Sequence, residues 1–303
     1  MRLGCDIVAI CDTREGCLES AAKELGESVA VYNDFDLFIE HGLDAVVLSN
    51  YFNEHAPYAV KCFEKNIHVY SECISNGTMA EGVELVRAFE KSNAVYFLAE
   101  NYPQMCFNRE IKRVCKSGTL GKILYAEGEY NHPGDPNDIE FKFQYNYFEK
   151  HWRNYSPRSY YITHSLGPLM YITGQRPVRV SAMPVYGYEE DVTNPLNVHD
   201  RAAVITTLND DRSVFRITGC AAFGCHENSY RICGELGQIE NVRGSGNKVM
   251  LNYNKWNVPE GMEEHNYYKP EFPEEDKPLL EKAGHGGSDP GGGSNEYWIE
   301  KDL

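Results

Sequence analysis

The 303-residue sequence lacks an apolar run of about eighteen residues, the shortest length that suits a membrane-spanning helix. Residues 1–6 also lack the apolar core of a signal peptide, so we expect a cytoplasmic protein. Basic side chains are scarce, with 29 Lys and Arg against 45 Asp and Glu, which gives a formal net charge of −16. Such a surface repels phosphate backbones and argues against a nucleic-acid partner.

Paired metal-binding motifs are missing as well, although the chain has ten cysteines. No two cysteines have the C-x-x-C spacing of a zinc site or a thioredoxin motif. No H-x-x-x-H spacing supports a histidine metal site either, so we expect no bound metal. The pattern favours reduced structural thiols, and Cys73 has no recognisable base beside it that would make it a nucleophile.

The first part of the chain alternates strand-like and helix-like segments, which predicts a parallel α/β sheet with crossover helices. Strands are predicted at 6–11, 44–49, 67–70 and 94–99, and helices at about 14–25, 55–65, 78–91 and 103–116. The segment 44–49 is almost continuously apolar, so we expect both faces of its sheet to be covered. Thr78-x-x-Glu81 predicts a capping box, and Gly26 and Gly118 predict helix ends.

After about Gly121 the pattern changes to strands with few helices between them. Strands are predicted at 123–130, 178–184, 202–208, 213–220 and 228–233, with a helix at about 165–172. Residues 252–282 lack periodicity, and the glycine-rich tract 286–294 predicts a flexible segment. The predicted fold class is α/β: an incomplete Rossmann-type parallel sheet domain (1–120) plus an α+β domain with a mostly antiparallel open sheet (121–303).

Asp12 follows the first predicted strand, where dinucleotide-binding domains carry an acid that accepts hydrogen bonds from the adenosine ribose. The G-x-G-x-x-G loop that normally precedes this acid by about 20 residues is not found before it. Either the true start lies upstream, or the domain is impaired, or Asp12 is simply a turn residue that ends a strand. Arg14 could meet a 2′-phosphate, but Asp12 disfavours one, so NAD is expected rather than NADP.

Three further motifs follow in order: Trp152-Arg153, the segment YITHSLGP at 161–168, and the segment GHGGSD at 284–289. With Asp12 and the strand-end segments, they make the chain resemble the Gfo/Idh/MocA oxidoreductases over nearly its whole length. Within that family it is most similar to the NAD-dependent α-N-acetylgalactosaminidase-like glycosidases.

The resemblance implies a set of cofactor contacts. The loop after the third strand of the family contributes Asn50, Asn53 and His55, and Glu72 matches the first position of a Glu-Lys-Pro motif. The remaining residues of this predicted cofactor site are Asp12, Arg14, Asn101, Trp152 and Arg153. Asn101 is also a common strand-end turn former, and Trp152-Arg153 also suits a simple cation–π contact.

The predicted catalytic residues differ from those of the family's simple dehydrogenases. Cys73 stands where those enzymes have the lysine, and Tyr160 stands where they have its aspartate partner. Tyr161 and His164 are the predicted proton-transfer pair, because imidazole titrates near neutrality. His199 and His285 are weaker candidates for contacts with sugar hydroxyls. His164 could instead be a core histidine, and His285 could belong to a surface tail.

The function that the resemblance implies is an NAD-dependent oxidoreductase-family enzyme acting on a sugar or sugar derivative. Transient oxidation at C3, elimination and re-reduction would make it a redox-neutral glycosidase. The partners expected are a small carbohydrate and a second copy of the chain, paired through the second-domain sheet. The alternative is an inactive, truncated relative that serves as an oligomerising or binding scaffold, because both ends look curtailed relative to the family.

Overall fold

The computed structural model describes residues 4–51, 53–133, 158–186 and 200–278. These residues divide into two compact units, and the change from one to the other falls between Ala99 and Glu100. The sequence places that change later, after residue 120. No helix in the described ranges is long and apolar enough to cross a bilayer.

The first unit is a parallel α/β arrangement, as predicted. Its strands are β1 (Ala9–Cys11), β2 (Ala30–Tyr32), β3 (Ala45–Leu48), β4 (His68–Ser71) and β5 (Tyr96–Leu98). Its helices are α1 (Glu15–Leu25), α2 (Phe35–Phe38), α3 (His55–Glu64) and α4 (Met79–Lys91). The strands form two separate parallel sheets, β1-β2 and β3-β4-β5. Strand β2 and helix α2 were not predicted from the sequence pattern.

Helix ends in the first unit follow the predicted chemistry. The Thr78 hydroxyl accepts a hydrogen bond from the Glu81 amide at 3.2 Å, and the Glu81 carboxylate accepts one from the Thr78 amide at 2.8 Å. This confirms the capping box at the start of α4. Gly26 ends α1 with a positive φ of 93°, a conformation that glycine adopts without a steric cost.

The sheet β3-β4-β5 is covered on one face only in the described part of the chain. Val46 and Leu48 of β3 are buried against α3, whereas Val47 between them is 64% exposed. The expectation that both faces of this strand would be covered is therefore wrong. An apolar run can belong to a half-exposed strand, and composition does not distinguish that case from a fully buried strand.

The second unit contains an eight-stranded sheet in the order β13-β12-β11-β10-β6-β9-β8-β7. Its strands are β6 (Ile123–Asn131), β7 (Pro177–Tyr186), β8 (Asp200–Asn209), β9 (Val214–Ala221), β10 (Glu227–Gly234), β11 (Gly237–Asn241), β12 (Val249–Tyr253) and β13 (His265–Tyr268). All neighbouring pairs are antiparallel except β6 and β9, which are parallel. The predicted fold class, a parallel α/β part followed by a mostly antiparallel sheet, is thus confirmed. Strands β11, β12 and β13 were not predicted.

Two helices, α5 (Cys106–Ser117) and α6 (Thr163–Thr173), contribute to the hydrophobic core of this unit, which is made with one face of the sheet. Phe107 and Ile111 of α5 are buried in that core, which explains why α5 belongs to the second unit. Helix α6 lies so close to β6 that a Cβ on Gly128 would be 2.1 Å from the Ser165 carbonyl oxygen. Only glycine permits this approach.

Side chains alternate between the two faces of a strand, so the residues on either side of Gly128 point away from α6. These residues are glutamates, and the face of the sheet opposite α6 therefore carries charge. The Glu127 carboxylate contacts Arg216 on β9 at 3.2 Å and Arg231 on β10 at 2.9 Å. Partial burial alone would raise the pKa of Glu127, but the Tyr125 hydroxyl and the two arginines lower it. We call these three cross-strand residues, Glu127, Arg216 and Arg231, the charged stripe.

All ten cysteines are free thiols, in agreement with the sequence analysis. Burial raises the pKa of Cys62 and that of Cys115 to about 12, so neither forms a reactive thiolate near neutral pH. Cys73 is buried. The peptide bond between Cys73 and Ile74 is cis.

Candidate functional site

The strongest polar arrangement in the second unit is a chain of three side chains. The His164 ring contacts the Glu100 carboxylate through Nδ1 at 2.7 Å and the Tyr161 hydroxyl through Nε2 at 2.8 Å. The side chains of Glu100 and His164 are each only 9% exposed, while Tyr161 is half-buried. The chain therefore leads from a buried carboxylate to a phenol that solvent reaches.

The hydrogen-bond partners fix where the protons lie. An ionised carboxylate only accepts hydrogen bonds, so the N–H at His164 Nδ1 donates a hydrogen bond to Glu100. In the neutral ring Nε2 then carries the lone pair, and the Tyr161 hydroxyl donates to it. A histidine whose one nitrogen is fixed by a carboxylate and whose other nitrogen faces a hydroxyl is the arrangement used for general acid–base catalysis.

Aromatic rings hold the His164 imidazole in place. Tyr102 stacks on it, with ring centres 4.1 Å apart, and Tyr130 meets it edge-on at 4.8 Å. Burial raises the pKa of Tyr102 and raises that of Tyr230, which is fully buried, so both phenols keep their protons. The imidazole thus has its orientation set by packing as well as by hydrogen bonds.

The segment 161–168 folds locally in a way that explains its proline. Pro168 has no amide hydrogen, so it cannot donate to the carbonyl of His164, its acceptor one helical turn earlier. The Tyr230 hydroxyl from β10 donates to that carbonyl instead. Gly167, which precedes Pro168, leaves room for the Glu100 side chain, because a Cβ at position 167 would be 3.1 Å from Glu100 Cγ.

The remaining predicted catalytic residues, His199 and His285, lie outside the described residues, and so do Trp152 and Arg153 of the predicted cofactor site. Tyr161 and His164, the predicted proton-transfer pair, are in direct contact. Their catalytic role stays a prediction.

Asp12 and Arg14, predicted to meet the cofactor, form one local cluster in the first unit. The Asp12 carboxylate accepts from the Arg14 amide at 2.8 Å and contacts its guanidinium at 3.2 Å. The side-chain hydrogen bond to Asp12 raises the pKa of Arg14. Both side chains are partly exposed, so Asp12 is open to a further donor.

The other predicted cofactor residues of this unit follow parallel strands. Asn50 comes after β3 and Glu72 after β4, and because these strands are parallel neighbours both residues lie at one edge of the sheet. His55 is buried, with Nδ1 2.7 Å from the Ile74 carbonyl oxygen and Nε2 3.3 Å from that of Asn50. Asn53 has a buried side-chain oxygen without a partner among the described residues.

Asn101, the last of the predicted cofactor residues, belongs to the second unit. Its carbonyl accepts from the Gln104 amide in the turn that precedes α5. Its neighbour Glu100, which belongs to the same strand-end segment, is the residue that contacts His164. Tyr130 and Tyr230 were not predicted, because they come from two separate strands and no local motif links them to His164.

In chain order, a parallel α/β unit precedes a unit built on a large mixed sheet. Residues 108–240 match the family model described as the GFO/IDH/MocA C-terminal domain. The resemblance drawn from the sequence motifs is confirmed.

Curated relatives and solved structures agree with this placement. The chain is 27% identical over 178 residues to a "Glycosyl hydrolase family 109 protein" of Shewanella baltica, which is 55% of this chain and 38% of that protein. Over a stretch of the same length it is 25% identical to the "Alpha-N-acetylgalactosaminidase" of Shewanella oneidensis. The match thus spans well under half of these relatives' length.

Among solved structures, levoglucosan dehydrogenase in complex with NADH and levoglucosan is similar with a TM-score of 0.75. The identity is 18%, and the superposition covers 97% of this chain and 78% of that one. At this sequence identity, the structural similarity shows only that the two proteins share a fold.

The bond from Tyr230 to the His164 carbonyl can be tested with a double-mutant cycle. Tyr230→Phe leaves a buried carbonyl without a donor, so we expect it to lower the free energy of unfolding by about 1–3 kcal/mol. In a Pro168→Ala background the restored amide can supply the missing bond, so the same substitution should cost clearly less. Urea unfolding of the four proteins measures both effects. Equal costs of Tyr230→Phe in the two backgrounds would contradict this account.

Proposed function

We propose that this chain is an NAD-dependent enzyme that acts on a carbohydrate, with Tyr161 as the residue that exchanges a proton with the substrate. The observation that carries the proposal is the hydrogen-bonded chain Glu100–His164–Tyr161. The glycosidase relatives and the levoglucosan complex support a carbohydrate as the substrate class.

The described residues fit the nucleoside parts of NAD. Asp12 follows β1 at the carboxyl end of a parallel strand and keeps acceptor capacity beyond its contacts with Arg14, as a ribose hydroxyl requires. Asn50 and Glu72 follow neighbouring strands at the equivalent edge of their sheet, and Asn53 has a buried oxygen that a ligand could satisfy. Arg14 is already paired with Asp12, which favours NAD over NADP.

The hydrogen-bonded chain Glu100–His164–Tyr161 provides a path for proton transfer. Bound NAD supplies a hydride acceptor for a sugar carbon. When a sugar hydroxyl gives its proton to the Tyr161 oxygen, the phenolic proton moves to His164 Nε2. Glu100 accepts a hydrogen bond from Nδ1 and stabilises the imidazolium that results. The reverse sequence returns the proton when the carbonyl is reduced again.

A redox-neutral glycosidase is favoured over a net dehydrogenase by two residues. Cys73 and Tyr160 replace the lysine and aspartate that the family's simple dehydrogenases use, and Tyr160 is 43% exposed. Once the imidazolium has released its proton to water, a tyrosine–histidine pair would serve equally for removing the proton next to a transient ketone, and that proton would pass to the glycosidic oxygen as it leaves by elimination. Water would then add, and because bound NAD would both accept and return the hydride, such a turnover would leave no net change in NAD.

We also propose that two copies of the chain associate through β7, the edge strand of the large sheet. Val180 and Met183 of β7 are 65% and 73% exposed, and Tyr186 at its end is 54% exposed. Among the described strands β7 has a neighbour on one side only, so its ten-residue backbone and its apolar side chains offer a surface that another chain can cover. A second copy is the natural occupant because identical edges pair symmetrically.

The cofactor assignment predicts that Asp12→Ala weakens NAD⁺ binding by at least about tenfold, since a hydrogen bond to a charged group contributes about 1.5–3 kcal/mol. Asp44→Ala is the matched control, because Asp44 precedes β3 and lies at the opposite, amino end of its strand. Isothermal titration calorimetry with NAD⁺ gives both affinities. Equal affinities for the two variants would argue against Asp12 as a ribose ligand.

The catalytic assignment predicts that Tyr161→Phe lowers kcat by about 10²–10⁴-fold, because general acid–base catalysis contributes that much. Tyr160→Phe removes the same atom from the adjacent, exposed tyrosine and should leave kcat nearly unchanged. The assay is cleavage of an N-acetylgalactosaminide with NAD⁺ in catalytic amount, followed by NADH formation with a panel of free sugars. If both variants keep full activity, Tyr161 is not the proton-transfer residue.

The association proposal predicts that Met183→Glu converts the oligomer to monomer, because a carboxylate in the apolar contact would be buried without a partner. Met79→Glu is the control, since Met79 is 84% exposed in the first unit. Light scattering coupled to size-exclusion chromatography reports the mass of each protein. A monomeric unmodified protein, or an oligomer that survives Met183→Glu, would refute pairing at β7.

A further inference from the structure

A pair of histidines at one end of the large sheet has no part in the proposed chemistry. Strands β6 and β10 are antiparallel with Asn131 opposite Glu227, so the next position on each strand places His132 opposite His226. His132 Nδ1 and His226 Nε2 are 3.2 Å apart. Tyr130 stacks on His132 and separates this pair from His164.

The distance between the two nitrogens suits the binding of one metal ion by both imidazoles. With zinc–nitrogen bonds of about 2.05 Å, a distance of 3.2 Å corresponds to an angle of about 100° at the metal, close to tetrahedral. Neutral imidazole is a ligand that zinc, nickel and copper ions all accept.

The relative tilt of the rings supports the same interpretation. Two imidazoles joined head-on by one N–H···N bond of this length would have ring centres about 5.5 Å apart, whereas two that point at a shared ion would have them about 5 Å apart. The observed distance is 4.7 Å, with the ring planes 72° apart. The observed ring-centre distance is thus closer to that of two rings sharing an ion than to that of a head-on pair.

Among the described residues, the surroundings of the pair fix the end of β6 and leave His226 exposed. The Arg158 guanidinium donates to the carbonyl of His132 at 2.7 Å, which fixes the end of β6. His226 is exposed, so an ion can reach the pair from solvent. Glu129 is occupied by Asn131 and Arg243, and across the described residues no group of three or more His, Cys, Asp or Glu is placed to hold a metal.

We infer that His132 and His226 form a two-histidine site for a divalent transition-metal ion of the zinc class, with water or an exogenous oxygen ligand completing the coordination. This departs from the sequence-based expectation of no metal, which considered histidines close in sequence. His132 and His226 are 94 residues apart, and only the strand register brings them together. The inference does not rest on the proposed function.

The test is calorimetric titration of the chelator-treated, full-length protein with Zn²⁺ and, separately, Ni²⁺. We expect one binding event that His132→Gln and His226→Gln each weaken by at least about tenfold, since even the groups that support metal ligands contribute about 10–100-fold. His265→Gln is the matched control, because His265 is an exposed histidine on β13 paired with Asn252 at 3.1 Å.

The exposed position of His226 makes a folding defect in His226→Gln easy to exclude by circular dichroism. Identical isotherms for the unmodified protein and the two site variants would overturn the inference. The same holds if neither ion binds, or if His265→Gln removes the binding.

Discussion

The candidate site depends on a proline, Pro168, that removes one backbone hydrogen bond from helix α6. Because Pro168 cannot donate to the His164 carbonyl, the helix accepts a bond from Tyr230 on the sheet, and this bond joins the start of α6 to β10. Gly128 on β6 permits the close approach that the bond requires. Two residues that have no chemistry of their own thus help to set how the start of α6, which carries His164, lies against the sheet.

The secondary structure of the chain was largely predictable, because helix caps and strand periodicity are local signals. The capping box at Thr78 and the helix end at Gly118 lie where the sequence places them. The strands β11 to β13 were missed because they are short, polar on one side and stabilised by their neighbours in the sheet. The exposure of Val47 was missed for a similar reason, since it depends on which elements pack against β3.

The site was predictable only in part. Tyr161 and His164 are three residues apart and belong to one recognisable motif, so the sequence could pair them. Glu100 lies 64 residues before His164, and the contact between them is a property of the fold. The same limit applies to Tyr230 and to the histidine pair across β6 and β10: a one-dimensional pattern contains no information on strand register until the sheet is known.

The charged stripe in the middle of the large sheet has a consequence for any association of two chains. A partner that covered Glu127, Arg216 and Arg231 would have to strip water from all three charges, and the Coulomb attraction within the stripe only partly offsets that desolvation. A contact confined to β7 leaves the stripe hydrated. Such a contact relies on apolar area, so raising the ionic strength would change its affinity little, in contrast to a contact built across the ion pairs.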